Sequence, residues 1–286
     1  VSDEGRLVPI DDTELLVVER GSSDGLPLLV LHGGPGLDHH EFADYLDPLT
    51  DDGIRLLLVD QRGQGRSGSS PPASWTLERM AQDVIMLARS LHLDRYAVFG
   101  HSYGAFVSLQ NAVDYPGMAW RTIVSGGVPS TTFLEGVEEQ LAGFEPATLR
   151  AQVAASWARE PDVRTAEDVA SLMHDQWPFH FMDPLDPRIE EYERRTAHAV
   201  YSPEVLRRFA TAEYGGIDVL DRLREVPQPV LILAGRHDRV CPVAASELMT
   251  RLLPNGRLRV FEHSAHMPFV EEQEAFLHEV RAFLAT

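Results

Sequence analysis

Short runs of branched apolar residues recur along the chain: LLVVE at 15–19, PLLVLHG at 27–33, IRLLLVD at 54–60, YAVFGHS at 96–102, RTIVSGG at 121–127, PVLILAG at 229–235 and LRVFEH at 258–263. Each is nearly continuous in hydrophobicity and bounded by Gly or polar residues, which predicts strands buried on both faces of a parallel sheet. Helical periodicity fills the spaces between them. In LERMAQDVIMLARSLH the residues Met80, Val84, Leu87 and Leu91 recur every three or four positions and form one apolar stripe, and VAASELMTRLL and EAFLHEVRAFL repeat the pattern. Alternation of strand and helix predicts an α/β fold with an open, mostly parallel central sheet and helices on both faces.

The alternation breaks between Val128 and Gly216. No strand-like run occurs there, and segments such as ATLRAQVAASWARE and AEDVASLMHDQW are compatible with helix. Strand periodicity resumes unchanged at Pro229. A chain of 286 residues could hold two domains, but resumption of the same pattern favours one core, 1–127 with 217–286, carrying a helical cap inserted at 128–216.

Composition narrows the partners. The net charge is −19, and every one of the 25 cationic side chains is arginine. A field of that sign repels phosphate backbones and anionic lipid surfaces, so neither a nucleic acid nor a membrane partner is expected. Without lysine there is no Schiff-base chemistry. The acidic N-terminus, the lack of a long apolar run and the single Cys241 point to a cytoplasmic protein without disulfides.

Chemistry is sought at the carboxyl ends of the strands, where open α/β sheets bind ligands. GHSYG at 100–104 places Ser102 between a strand and a helix, the setting of a nucleophile on a sharp turn, with Gly100 and Gly104 as small neighbours. A serine needs a base, and the base an acid. Asp238 ends the next-to-last strand; His263 and His266 follow the last one. The order Ser, Asp, His suits this type of sheet, and His266, on the loop before Pro268, is better placed as the base. For an oxyanion, the N–H groups of Tyr103 and Gly34 are the natural donors, with Gly33 and Gly34 of HGGPG turning the backbone toward the site. The Gly34–Pro35 bond is a candidate for the cis form. LDHHEF at 37–42 reads as a polar helix start, and the histidines form no metal-ligand pattern.

Together HGGPG, DQRGQGRS, GHSYG, GRHD and HSAHMPFVEE resemble the α/β-hydrolase family, and within it the proline iminopeptidase group of serine peptidases. The resemblance spans nearly the whole chain. It implies an α/β-hydrolase fold, no cofactor, Ser102 as nucleophile, Asp238 as orienting acid, His266 as base, Gly34 and Tyr103 as oxyanion hole, and a structural loop at Asp60 and Arg62. It implies a serine hydrolase releasing N-terminal proline or small residues from short peptides. That group binds the substrate ammonium with carboxylates, one of which can follow the catalytic aspartate. Here that place holds Arg239, which would repel an ammonium and favours instead a carboxylesterase or lactonase acting on small molecules. Glu204 and Glu213 are candidate cap carboxylates, and Trp157, Trp177 and Phe179 candidate walls of an acyl pocket. A ligand-binding receptor that retains the fold without turnover is the alternative of another class.

Overall fold

The computed structural model describes residues 4–285. Its strands are β1 (Arg6–Pro9), β2 (Glu14–Arg20), β3 (Leu26–Leu31), β4 (Ile54–Val59), β5 (Ala97–His101), β6 (Arg121–Ser125), β7 (Val230–Gly235) and β8 (Gly256–Phe261). They form one sheet in the order β1-β2-β4-β3-β5-β6-β7-β8. The β1–β2 and β2–β4 pairs are antiparallel, and every pair from β4 to β8 is parallel.

Period-two alternation sends successive side chains to opposite faces. Leu29, Leu31, Leu57, Val59 and Val98 join one apolar cluster, whereas Leu28, Val30, Leu56, Leu58, Ala97 and Phe99 join the other. Both sets are needed because helices cover both sides. On the first face lie α1 (Leu77–Ser90), with Met80, Val84 and Leu87, and α2 (Tyr103–Asp114), with Val107 and Leu109. On the second lies the C-terminal helix, through Phe276, Leu277, Val280 and Phe283. The start of α1 is fixed by Thr76, whose side chain accepts the N–H of Arg79.

Between β6 and β7 the chain leaves the sheet through α3 (Val137–Ala142), α4 (Ala147–Arg159), α5 (Ala166–His180), α6 (Arg188–Arg195) and α7 (Pro203–Ala210). Ser130 and Asp218 pair in an isolated antiparallel bridge, which brings the two ends of this excursion together. A capping box of Thr165 and Asp168 starts α5. The inserted helices bury some apolar residues among themselves, as with Phe144, Val153 and Phe179. They also share the sheet's own core: Trp177, Phe181 and Tyr192 pack in the same cluster as Leu28 and Phe99. After β7 come α8 (Val243–Leu252), α9 (Pro268–Glu271) and α10 (Gln273–Ala285). The carboxyl ends of β3, β5, β7 and β8 all open toward the inserted helices, and there the polar motifs collect.

Candidate active site

Ser102 lies between β5 and α2 with φ 52° and ψ −117°. A left-handed φ costs a non-glycine residue about 1–3 kcal/mol and persists only where the surroundings impose it. Here its N–H donates to the Ser125 carbonyl at 2.9 Å, and its carbonyl accepts the N–H of Ala105 at 2.9 Å. The flanking glycines are explained by close approach. A Cβ at Gly100 would overlap the Gly104 carbonyl, and one at Gly104 would overlap the Leu31 carbonyl at the end of β3.

His266 Nδ1 lies 2.8 Å from Asp238 Oδ2. The other carboxylate oxygen of Asp238 accepts the N–H groups of Val240 at 2.9 Å and Cys241 at 2.8 Å, so the acid is held from both sides. This fixes the proton of His266 on Nδ1 and leaves Nε2 free to act as a base. His263 is exposed and its N–H donates to Glu272, so of the two histidines it is His266 that the structure couples to Asp238. Ser102 and His266 line one cavity of about 360 Å³.

Gly34 and Tyr103 line the same cavity. Gly34 has φ 105° and precedes a cis bond to Pro35. Its N–H direction is set by its neighbour. The backbone N–H of Gln61 donates to His32 Nε2 at 3.2 Å, which puts the ring proton on Nδ1, and Nδ1 donates to the Gly33 carbonyl at 2.8 Å. Burial depresses the His32 pKa and keeps that ring neutral. In a trans peptide the N–H opposes the C=O, so the Gly34 N–H points away from His32.

Other residues singled out in the sequence fall elsewhere. The N–H of Gly33 is engaged by Glu41 at 2.5 Å rather than offered to the cavity. Trp157 and Trp177 are cavity walls, but Phe179 is sealed behind them. Glu204 lies against a separate surface hollow with Ser67 and Trp75, and Glu213 is exposed. Arg239 does not reach the cavity. Its guanidinium donates to the carbonyls of Phe179 at 3.1 Å, Phe181 at 2.6 Å and Met182 at 3.0 Å, tying down the end of α5. The guanidinium is therefore turned to the backbone ending α5 and makes no direct contact with the space a substrate ammonium or carboxylate would occupy. Asp60 holds the start of the LDHHEF turn through the His39 N–H and ring, and Arg62 is buried between Asp83 and Asp12.

The cavity contains groups that the sequence did not mark. Glu160, at the end of α4, is 6% exposed; its oxygens accept from Gln176 Nε2 at 2.9 Å and the Tyr214 hydroxyl at 2.6 Å. Its sequence neighbour Arg159 pairs with Asp175 instead, no cation among the described residues acts on the Glu160 carboxyl, and burial raises its pKa. His180 also lines the cavity, with its pKa pushed down to about 4 by burial and by the nearby His266. Its carbonyl accepts the His266 N–H at 2.9 Å.

Behind His266, buried Glu271 accepts the N–H groups of Ala265 at 2.8 Å and Met182 at 2.7 Å, and burial raises its pKa to about 7. A raised carboxyl binds its proton more tightly in the folded chain. Its contribution to stability is full below the ordinary value of 4.5 and is lost as pH rises through about 7. The Glu271→Gln variant is expected to flatten the fall in stability across this window by on the order of 3 kcal/mol, measured by urea unfolding at several pH values. An unchanged pH slope would show that Glu271 is not the group responsible.

The model for the α/β hydrolase fold matches residues 27–273, and the chain belongs to that family. The chain also resembles proline iminopeptidases. It is 28% identical over 280 residues to the proline iminopeptidase of Clostridium botulinum, covering 90% of this chain and 89% of that one. Among solved structures, an α/β fold family hydrolase from Bacillus anthracis superposes with a TM-score of 0.80 at 24% identity, covering 98% of each chain. The proline iminopeptidase of Mycobacterium smegmatis does so with a TM-score of 0.75 at 24% identity, covering 99% and 98%. Among the described residues no helix is long and apolar enough to cross a membrane.

Proposed function

We propose that this hydrolase works through an acyl-enzyme on Ser102 and that it releases N-terminal proline or small residues from short peptides. His266 Nε2 takes the Ser102 hydroxyl proton as Oγ bonds to the scissile carbonyl carbon. The oxyanion is received by the N–H groups of Gly34 and Tyr103. His266 then gives the proton to the leaving amine as the C–N bond breaks, and a water deprotonated by His266 releases the acid and restores Ser102. Residues 128–216 serve as the cap over this reaction.

The observation that carries the peptidase reading is Glu160. A buried carboxyl without a cation, held by Tyr214 and Gln176 in a cavity whose walls include Phe106, Trp157, Trp177 and Val240, is completed by a substrate ammonium. The apolar walls suit a prolyl ring. The proline iminopeptidases similar to this chain support the same choice.

Paired assays test it. Glu160→Gln is expected to lower kcat/KM for proline 4-nitroanilide by about 30- to 100-fold, the worth of a charged hydrogen bond in a buried site, while hydrolysis of 4-nitrophenyl butyrate changes less than about threefold. Equal losses on both substrates, or none on the anilide, would remove the ammonium subsite. An enzyme that cleaves only the ester would be a carboxylesterase, the reading that the apolar walls favour once Glu160 is set aside.

A further inference from the structure

Glu41 belongs to the LDHHEF segment, which the sequence marks only as a polar start. The segment forms a single 3-10 turn, His39–Phe42, capped by Asp38, which accepts the His40 N–H at 3.1 Å. This turn directs Glu41 inward, where it is 6% exposed and lines the cavity beside Ser102. One carboxyl oxygen, Oε2, accepts the Gly33 N–H at 2.5 Å. The other, Oε1, would lie 2.6 Å from a Cβ placed on Gly33, and that same Cβ would lie 3.1 Å from the Ser102 Cβ. The carboxyl and the Ser102 side chain thus both border the space beside the Gly33 Cα, which has no room for a methyl group.

The groups facing Glu41 give it no counter-charge. Asp38, on its own turn, is anionic when ionised; its oxygens are engaged by His40 and by the Val200 N–H. From the end of β5, His101 Nε2 approaches to 3.8 Å, but burial and its neighbours His266 and His180 push the His101 pKa well down. From α6, the Tyr192 hydroxyl donates to the Glu41 carbonyl at 3.0 Å, and its own pKa is raised. Among the described residues no arginine contacts the carboxyl. Burial then favours the neutral form and moves the Glu41 pKa up to about 8. An ionised Glu41 would set a negative charge next to the place where the reaction itself builds one, in a site of low dielectric.

We propose that Glu41 is a positioning residue that works as a neutral carboxyl: it holds Gly33, and with it the Gly34 N–H that receives the oxyanion, and its ionisation shuts hydrolysis off at alkaline pH. The inference rests on Ser102 acting as the nucleophile.

The test compares the wild type with Glu41→Gln and Glu41→Ala, using 4-nitrophenyl acetate between about pH 6 and 10 after subtraction of spontaneous hydrolysis. Each preparation is also titrated with a fluorophosphonate that labels the reactive serine. In the wild type, kcat is expected to fall about tenfold per pH unit above about pH 8 with KM little changed. In Glu41→Gln, kcat at neutral pH is about three- to tenfold lower, because the amide still accepts from Gly33, and the alkaline fall is gone. Glu41→Ala, with no acceptor for that N–H, loses about 100-fold across the range. Infrared difference spectra of the wild type should show a buried carboxyl band lost in step with kcat.

Persistence of the alkaline fall in Glu41→Gln that still labels would overturn the proposal and leave Ser102 in its role. If the variants fail to fold, a wild-type carboxyl band titrating in step with kcat supports it, and a band titrating without loss of kcat overturns it. A wild type that neither labels nor turns over would overturn the Ser102 mechanism and this inference together.

Discussion

Ser102→Ala is expected to lower kcat for every acyl substrate by about 10⁴-fold or more, with stability changed by less than about 1 kcal/mol. The hydroxyl is dispensable to the fold: it makes no capping hydrogen bond at the start of α2, and the turn is held by backbone contacts to Ser125 and Ala105. Alanine keeps the Cβ, so the strained φ of 52° is neither relieved nor made worse. What disappears is the atom that forms the acyl bond. Whatever rate survives reflects oxyanion binding and substrate positioning alone, and it should show no burst and no fluorophosphonate labelling. The measurement is active-site titration and kcat on the anilide and the ester, with urea unfolding as the control. Retention of more than about one per cent of kcat would move the nucleophile elsewhere. Unaltered biological activity in this variant, with ligand still bound, would instead favour a receptor on the same fold.

That the serine is readable in the sequence, whereas Glu160 and Glu41 are not, has a physical origin. Ser102, Asp238 and His266 sit within a few residues of strand ends, and strands buried on both faces such as β3, β5 and β7 announce themselves by continuous apolar runs. The order of motifs along the chain then fixes which strand ends they occupy. The short edge strand β1 escapes detection because only Val8 of its four residues is buried. Glu160 and Tyr214 lie 54 positions apart and meet only after the inserted helices pack. No periodicity distinguishes a glutamate at a helix end that turns inward from one that turns to water. Glu204 and Glu213 show the converse, since nearness to the core along the chain did not bring either one to the cavity. Arg239 adjoins Asp238, yet the turn after β7 sends the two side chains to different partners, one to His266 and the other to the carbonyls ending α5.

Gly235→Ala is expected to be the most disruptive single methyl in the catalytic region. Gly235 ends β7, and a Cβ there would overlap the Ala265 carbonyl and stand 2.6 Å from that of Ser264. Relief requires the 261–266 segment to move, and that segment is held on every side. The Arg236 N–H donates to Phe261 and the His237 N–H to Ser264, each at 2.9 Å. Beyond it, the Ala265 N–H is bound by Glu271, and the Ser264 hydroxyl donates to Glu272 at 2.7 Å. Either those hydrogen bonds break or the end of β7 shifts, so a stability loss of about 3 kcal/mol or more is expected, at the upper end of the overpacking range. His266 follows Ala265 directly and Asp238 lies three residues after Gly235, so the displacement falls on their 2.8 Å contact. Folded Gly235→Ala should then label with fluorophosphonate at least about 100-fold more slowly, because misplacing the base by an ångström costs that much. Gly136→Ala, where a Cβ meets nothing within 4 Å, is the control and should match the wild type in both measurements. A Gly235→Ala protein with wild-type stability and labelling rate would mean that the loop carrying the base yields freely, and that the Asp238 contact is not what fixes His266 against Ser102.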